Sequence, residues 1–336
     1  MRPRDWARTA RAGLLAAIVA MACGQESTHP AALERVVIPG GASFATITDS
    51  LVAHGIVRYP TWFKLLARAR RMDRTIQAGV YEFPRASSPT QVLNTLAEGR
   101  VVLVQFTVPE GLTIPDVAEL AAATLDIPTD SFTAAARDTS LLRALGLAGG
   151  SFEGYLFPET YTVAAGSTAR QVVRIMADNF LTTWQPGWNA RLDTIRMTRH
   201  DVVILASIVQ GEVVKRGEGP LVSAVYHNRL RRGMRLQADP TVQYAIQLAT
   251  GERKPRLLLR DYQFPSRYNT YLHAGLPPGP IASPSLGSLE ATLYPASVPY
   301  YFFVARGDGS HVFSQTYRQH LAAIARIRGG ADEMSP

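Results

Sequence analysis

Glu212 is the residue of this chain whose type and position most clearly predict chemistry. It ends the run 201–212, which is apolar over most of its length and long enough for about three turns of helix. Val209, Ile208 and Leu205 precede it by three, four and seven residues, so in a helix they lie on the same face as Glu212. Burying an ionised carboxylate at the end of such a stripe is costly, so its pKa should rise. We therefore predict a group that keeps a proton near neutral pH and can donate it to a glycosidic leaving group.

A structural role is the alternative for the same residue. Arg229 or Arg231 could pair with Glu212, which would then hold two elements together. Upstream, Thr198 stands three residues before Asp201, a capping-box pattern that predicts the start of the helix. On Glu212 alone, both interpretations stay open.

The composition permits several classes of partner. The chain has 336 residues, enough for two domains or more, and a formal charge of +8. Its arginines cluster at residues 2–11, 68–74 and 229–235. This net positive charge is compatible with binding to nucleic acid, anionic lipid or an acidic polymer. Because no zinc-finger, RRM or aromatic-basic pattern is present, no nucleic acid partner is expected.

The N-terminus predicts export. Four arginines precede the apolar run 13–22, which is shorter than the roughly 20 residues that span a bilayer and suits a signal peptide. Cys23 follows directly, as in a bacterial lipoprotein signal, so cleavage would leave a lipidated N-terminal cysteine. Ala20 and Met21 depart from the usual lipobox, and a plain signal peptide or a short uncleaved anchor are the alternatives. All three predict a body in the cell envelope, outside the cytoplasm. With a single cysteine, the chain has no internal disulfide.

The patterns along the chain predict an α+β fold. We divide it into a signal peptide at 1–23, a tether at 24–35, a small α+β module at 36–105, a helical connector at 106–150 and a mixed α+β domain at 151–328. In the module, strands are expected near 36–39, 78–83 and 101–108, with helices at 44–51, 61–71 and 91–98. In the last domain, helices are expected at 168–184, 201–212, 219–232 and 317–328, and short strands at 300–305 and 311–313.

Four strings share a polar and aromatic character. They are S-F-E-G-Y-L-F-P-E-T-Y at 151–161, A-S-I-V-Q-G-E at 206–212, H-N-R-L-R-R-G-M-R-L-Q-A-D-P-T-V at 227–242 and Y-N-T-Y-L-H-A-G-L-P-P-G-P-I at 268–281. Together they resemble the MltG-type (YceG-like) endolytic murein transglycosylases, and the resemblance covers nearly the whole chain. It implies a membrane-tethered enzyme that cuts nascent peptidoglycan strands internally. It also implies that the module at 36–105 is a LysM-like glycan-binding module.

The resemblance assigns one catalytic residue. The family's catalytic glutamate falls in a string A-S-I-[VI]-x-x-E, and only Glu212 matches that position. Many members carry a second glutamate where this chain has Gln210, which leaves Glu212 as the sole candidate. As an acid, it would protonate the oxygen between N-acetylmuramic acid and N-acetylglucosamine. As a base, it would then take the proton of the muramic 6-hydroxyl, which attacks C1 and forms a 1,6-anhydro end.

A hydrolase would normally need a second carboxylate, and two are available. Asp239 precedes Pro240 in a loop-forming context, where it could bind sugar hydroxyls or serve as a turn or N-cap residue. Glu159 could line a sugar cleft or brace its own loop. The remaining substrate-binding candidates are Tyr161, Asn228, Gln237, Asn269 and Tyr271.

Structural alternatives apply to several of these residues. Asn228 could hold the Glu212 helix in place. His311 is better explained as a histidine of the core or its rim, hydrogen-bonded within the protein, than as a ligand-binding residue. Arg229 could bind a carboxylate of the protein or one of a peptide stem. A hydrolase and a non-catalytic murein-binding scaffold therefore remain alternatives, which product analysis separates.

Other chemistry finds no support in the sequence. The chain has no G-x-S-x-G, H-E-x-x-H, P-loop or dinucleotide motif, so no metal and no cofactor is expected. The expected partners are peptidoglycan strands, a membrane at the N-terminus and, from the resemblance, proteins of murein synthesis.

Overall fold

A computed structural model describes residues 32–72, 76–85, 87–215 and 217–332. The predicted signal peptide, Cys23 and most of the tether lie outside these ranges. No helix within them is long and apolar enough to cross a membrane.

The described residues divide into two compact units, with the boundary between residues 100 and 101. Helices and short antiparallel strand pairs occur in both units, which confirms the predicted α+β class. The boundary lies before the predicted end of the module at residue 105. The reason is that the strand at 103–108 pairs with residues 159–164 and so belongs to the second unit.

The described part of the first unit contains two strands and three helices. They are β1 (Leu33–Ile38), α1 (Phe44–Ala53), α2 (Pro60–Ala69), β2 (Gly79–Pro84) and α3 (Pro89–Ala97). β1 and β2 pair antiparallel with Val36 opposite Tyr81, and both side chains are fully buried. Ser88 and Gln91 form a capping box that starts α3. Apolar faces of the helices cover the strand pair and form this unit's core.

The second unit contains ten α-helices, a short 3₁₀ helix (Leu259–Gln263) and two strand pairs among the described residues. The α-helices and strands follow in chain order. They are β3 (Leu103–Val108), α4 (Ile114–Leu125), α5 (Thr129–Ala136), α6 (Thr139–Ala144), β4 (Glu159–Ala164), α7 (Ala169–Thr183), α8 (Pro186–Ile195), α9 (Arg199–Glu212), α10 (Gly219–Arg231), α11 (Asp239–Thr250), α12 (Leu286–Leu293), β5 (Phe302–Ala305), β6 (His311–Ser314) and α13 (Tyr317–Asp332). β3 pairs antiparallel with β4, and β5 with β6.

The helices of residues 106–150 do not form a separate connector. Phe132 of α5 and Leu141 of α6 share one apolar cluster with Phe180 of α7 and Val203 of α9. The predicted connector is therefore part of the core of the second unit.

α9 joins the two apolar clusters of the second unit. Val202, Val203 and Ala206 pack in the first cluster. Ile204, Leu205, Ile208 and Val209 pack in the second. A helix with apolar residues on all sides is stable only when it is buried, and the eight residues 202–209 are all buried.

Candidate active site

The N-terminal end of α9 is fixed by the capping box that the sequence predicts. Thr198 donates its backbone N–H to Asp201 Oδ2 over 2.9 Å. In return, the Asp201 N–H donates to Thr198 Oγ1 over 3.1 Å. Both bonds satisfy backbone donors that a helix start leaves without partners. The helix therefore begins at Arg199, and its register along the core is set from this end.

The C-terminal end of α9 approaches α11 closely. A Cβ atom on Gly211 would lie 2.8 Å from two atoms of the Pro240 ring, so only glycine fits here. One turn earlier, Ser207 Oγ accepts the N–H of Ile281 over 3.0 Å. These contacts hold the last turn of α9 against the strings around residues 240 and 280. As a result, Glu212 lies beside the first turn of α11.

The Glu212 carboxyl is half-buried and has one side-chain hydrogen bond among the described residues. The Tyr226 hydroxyl donates to Glu212 Oε1 over 2.8 Å. Tyr226 is itself fully buried on α10. Within the described ranges, Glu212 forms no ion pair. The carboxyl is therefore oriented by a neutral donor and remains open on one side.

This environment raises the pKa of Glu212 to about 7, mainly through loss of hydration on burial. The hydrogen bond from Tyr226 and the charge of Arg229 lower the pKa, and the charge of Asp239 raises it. Glu212 is also the last residue of α9, where the helix dipole disfavours a negative charge. The carboxyl can thus hold its proton near neutral pH, as the sequence predicts, and can lose it again.

The two arginines considered as structural partners bind other groups. Arg229 donates through Nε to the Tyr301 carbonyl over 2.7 Å and through Nη1 to the Leu236 carbonyl. Arg231 donates to Asn228 Oδ1. The structural alternative for Glu212, a salt bridge to either arginine, is absent from the described part of the chain.

Asp239 lies opposite Glu212 and is held by two tyrosines. The Tyr271 hydroxyl donates to Oδ1 over 2.6 Å, and the Tyr262 hydroxyl to Oδ2 over 3.3 Å. The two rings pack with centroids 4.5 Å apart. Asp239 is the first residue of α11, so the expected loop is instead a helix start, because proline suits the first helical turn. Ala238 holds the N-cap position, and the Asp239 side chain faces the tyrosines.

The sequence and the fold of this chain have relatives among known proteins. Residues 36–326 match the YceG-like family. The chain belongs to this family. An endolytic murein transglycosylase of Bacillus subtilis (strain 168) is 27% identical over 312 residues, which cover 88% of this chain and 85% of that protein. One from Streptococcus pneumoniae (strain R6) is also 27% identical, over 86% of this chain and 57% of its own length.

A solved structure supports the same relationship. A YceG-like protein of Listeria monocytogenes, known from a 2.6 Å crystal structure, superposes with a TM-score of 0.60 and is 28% identical. The superposition covers 86% of this chain and 98% of that one. The likeness in fold therefore covers most of the chain.

Three of the predicted sugar-binding residues of this YceG-like chain form hydrogen bonds to backbone carbonyls within the protein. Asn228 donates to the carbonyls of residues 298 and 300 over 2.9 and 2.7 Å. Asn269 donates to the carbonyls of residues 262 and 264 over 3.0 and 2.9 Å. The Tyr161 hydroxyl donates to the Phe157 carbonyl. All three side chains are buried, so the geometry favours structural roles for them.

Gln237 differs from those three because it is exposed. Its backbone lies in the left-handed region at φ 50°, a conformation that costs energy in any residue but glycine. Its N–H donates to the Thr270 carbonyl over 3.2 Å, which anchors the strained position. Gln237 stands two residues before Asp239, so its amide remains a candidate for contact with a sugar beside the acid.

Glu159 lies on the other side of the last turn of α9. It lines an open groove of about 800 Å³ together with Glu110 and Gln210, and Glu212 is not part of that wall. Residues two apart on a helix point in nearly opposite directions, which separates Gln210 from Glu212. Gln210 Oε1 accepts from the Ser285 N–H over 3.0 Å at the start of α12. Gln210 thus has a structural role here.

His311 is a satisfied histidine, as the sequence predicts. Its Nδ1 lies 2.6 Å from Glu218 Oε2, and its N–H donates to Glu218 Oε1 over 3.1 Å. Lys215 pairs with Asp308 over 3.1 Å in the same region. Both contacts tie the β5–β6 hairpin to the segment that follows Glu212.

Sequence reasoning missed a second buried acid. Glu153 is 5% exposed, accepts the N–H of Ile114 over 3.2 Å and the hydroxyl of Tyr244 over 3.1 Å, and joins three elements. Burial raises its pKa from 4.5 to about 7. The only signal in the sequence is its place in the string 151–161. Because the protein encloses it, Glu153 is a structural acid, whereas Glu212 is accessible.

Glu153 should make stability depend on pH. In the unfolded chain its carboxyl ionises above pH 4.5, whereas the fold keeps the proton up to about 7, so stability is lost as the pH rises through this window. Glu153→Gln mimics the protonated acid at every pH. As the pH rises from 4 to 8, we expect the free energy of unfolding of this variant to increase relative to that of the unchanged protein by up to roughly 3 kcal/mol.

Urea unfolding at pH 4, 6 and 8 measures this difference. Glu119→Gln, on the exposed side of α4, makes the same chemical change and should follow the unchanged protein. Parallel curves for Glu153→Gln and the unchanged protein would mean that Glu153 is ionised in the fold.

Proposed function

We propose that this protein is an endolytic peptidoglycan lytic transglycosylase with Glu212 as its acid and base. The observation that carries the proposal is the half-buried carboxyl at the end of α9, with a pKa near 7 and no ion-pair partner among the described residues. Relatives named endolytic murein transglycosylases align over most of the chain and support the substrate class.

The reaction follows from one group that first gives and then takes a proton. Protonated Glu212 donates to the oxygen between N-acetylmuramic acid and N-acetylglucosamine, and positive charge develops at muramic C1. The resulting carboxylate takes the proton of the muramic 6-hydroxyl as that oxygen bonds to C1. The products are a 1,6-anhydro end and a free N-acetylglucosamine end, and Glu212 is protonated again without the use of water.

Asp239 has a supporting role in this proposal. Its two tyrosine hydrogen bonds hold the carboxylate in place, and its charge raises the pKa of Glu212. The negative charge could also stabilise the positive charge that develops at C1. If Asp239 instead activated water, the products would carry reducing ends, the outcome of a two-carboxylate hydrolase.

Glu212→Gln tests the assignment. The amide keeps the size of the side chain and can still accept from Tyr226, but it has no proton to transfer. We expect a folded protein that binds strands and forms anhydro product about 10²–10⁴-fold more slowly. Mass spectrometry of the released fragments measures the product. Glu119→Gln is the matched control with expected normal turnover, and normal turnover by Glu212→Gln would refute the assignment.

The pH profile gives a second readout of the same assignment. Catalysis needs protonated Glu212, so kcat/KM should fall as the pH rises through about 7. Asp239→Asn removes the charge that raises this pKa, so the alkaline limb should move to lower pH. If the alkaline limb of the profile stays at the same pH in Asp239→Asn, the charge of Asp239 does not influence the pKa of the catalytic acid.

The first unit carries an exposed aromatic surface that suits glycan binding. Tyr59, Trp62 and Leu65, on and just before α2, are 66%, 57% and 59% exposed. Aromatic faces of this kind can pack against sugar rings, and this supports the LysM-like role proposed for the unit. If both units bind the same glycan strand, the second contact raises the affinity because the strand is already held nearby. Short glycan fragments cannot reach both sites and do not gain from this effect.

Trp62→Ala should therefore weaken binding of long strands by roughly tenfold, or about 1.4 kcal/mol, and leave short fragments unaffected. Pull-down and titration with strands of defined length measure this. Val52→Ala, an exposed apolar residue of α1, serves as control. Equal losses on long and short substrates would mean that the unit is a structural brace.

Murein as substrate agrees with a location in the cell envelope. The arginines and apolar run before Cys23 support export and lipid attachment, and proteins of murein synthesis are the proposed neighbours. A mature N-terminus at a residue other than Cys23, found by mass spectrometry, would rule out the lipid anchor.

A further inference from the structure

The two oxygens of the Glu212 carboxyl have different surroundings. Oε1 accepts a hydrogen bond from the Tyr226 hydroxyl over 2.8 Å. Oε2 accepts no hydrogen bond from the described residues. Nor is it one of the side-chain atoms of that part of the chain that are both enclosed and without a partner, so it is accessible to solvent. The open side of the carboxyl is therefore the side of Oε2.

Tyr226 holds its hydroxyl in place through packing. The side chain is fully buried, and its ring meets the Phe303 ring edge-on with centroids 5.8 Å apart. Burial raises the pKa of Tyr226 well above its usual value, so the hydroxyl keeps its proton near neutral pH. A phenol has one proton to donate, and Glu212 Oε1 is its only acceptor among the described residues. The hydrogen bond therefore has a fixed direction.

This direction decides which carboxyl oxygen holds the proton of the acid. A protonated carboxyl has one O–H group and one carbonyl oxygen that accepts hydrogen bonds. A proton on Oε1 would face the proton of the Tyr226 hydroxyl, which has no other acceptor in the described part of the chain. The proton of Glu212 therefore belongs on Oε2, the oxygen on the open side.

The same bond acts on the charged form of the acid. Loss of hydration has the largest effect on the pKa of Glu212 and raises it. The bond from Tyr226 and the charge of Arg229 lower the pKa, and the charge of Asp239 raises it. Tyr271, also near Glu212, stays neutral because burial and its bond to Asp239 raise its own pKa. Hydrogen bonds to an ionised carboxylate are roughly twice as strong as those to a neutral group, so the Tyr226 bond favours the carboxylate.

We propose that Tyr226 is a positioning residue whose bond to Oε1 leaves Glu212 Oε2 as the atom that transfers the proton. This inference rests on the proposed function, because it concerns how the same carboxyl acts. The Oε2–H bond breaks as the glycosidic oxygen gains the proton and leaves muramic C1. It forms again as Oε2 takes the proton of the 6-hydroxyl and that oxygen bonds to C1. Tyr226 keeps its own proton through both steps.

Tyr226→Phe tests this role, because it removes the hydroxyl and keeps the ring that packs on Phe303. Without the bond the pKa of Glu212 should rise, so the alkaline limb of kcat/KM should move to higher pH by about 0.5–1 unit. Asp239→Asn is expected to move the limb in the opposite direction. A carboxyl that is free to turn should also lower kcat by about two- to tenfold at a pH below the limb, with KM for strands unchanged.

Tyr244→Phe is the matched control. Tyr244 is also buried and donates its hydroxyl to a buried acid, Glu153 Oε2, over 3.1 Å. Its loss should leave the alkaline limb and kcat as they are in the unchanged protein. The Glu212 carboxyl of the full chain, labelled with ¹³C and assigned by comparison with Glu212→Gln, can also be titrated by NMR without substrate. Tyr226→Phe should raise the pKa measured in this way by the same amount as the limb.

An alkaline limb and an NMR titration that stay at the same pH in Tyr226→Phe would overturn the proposal. An equal shift in Tyr244→Phe would also overturn it, because the shift would then come from a general loosening of the core. An unchanged protein that forms no anhydro product at any pH would overturn the proposed function instead. Because the NMR titration needs no turnover, the two failures can be told apart.

Discussion

The burial of α9 is the constraint on which the rest of the catalytic unit depends. Because the helix is apolar on all sides, it needs a cluster on each side, and the elements from β3 to α12 supply them. A helix held this firmly ends at a fixed place, where Gly211 meets Pro240. The same packing that removes water from the helix removes it from one side of the Glu212 carboxyl. Fold stability and the raised pKa of the acid therefore have a common cause.

A raised pKa does not by itself mark the catalytic acid. Glu153 and Glu212 both reach a pKa of about 7, and loss of hydration is the main cause in each. They differ in what surrounds the carboxyl. Glu153 bridges a helix start and Tyr244 inside the protein, whereas Glu212 is half-buried, with a single tyrosine bond. Exposure of the carboxyl, and not its affinity for the proton, distinguishes the two residues.

The sequence predicts those parts of the site that depend on local rules. Thr198 and Asp201 mark the start of α9, and its apolar pattern and terminal acid predict the burial of Glu212. The start of α11 was missed because Asp239 before proline fits a turn and a helix start alike. The tyrosines around Asp239 come from residues 23 and 32 positions away along the chain, so only the folded chain shows the contact. Asn228 and Asn269 were predicted to bind sugar because of their polar amides. In the folded chain both side chains are buried, and their amides donate to backbone carbonyls instead.

α10 shows how one buried helix can serve two surfaces. Its Tyr226 donates a hydrogen bond to Glu212, and its next residue, His227, lines a separate cavity on the far side of the helix. Asn228 and Arg229 fasten the helix to the segment 298–301 through backbone carbonyls, so the helix cannot rotate without breaking these bonds. A displacement of His227 or Arg231 would thus move an element that also positions Tyr226. Close packing transmits such strain instead of absorbing it. The bonds that fix α10 therefore also fix the position of Tyr226 beside Glu212.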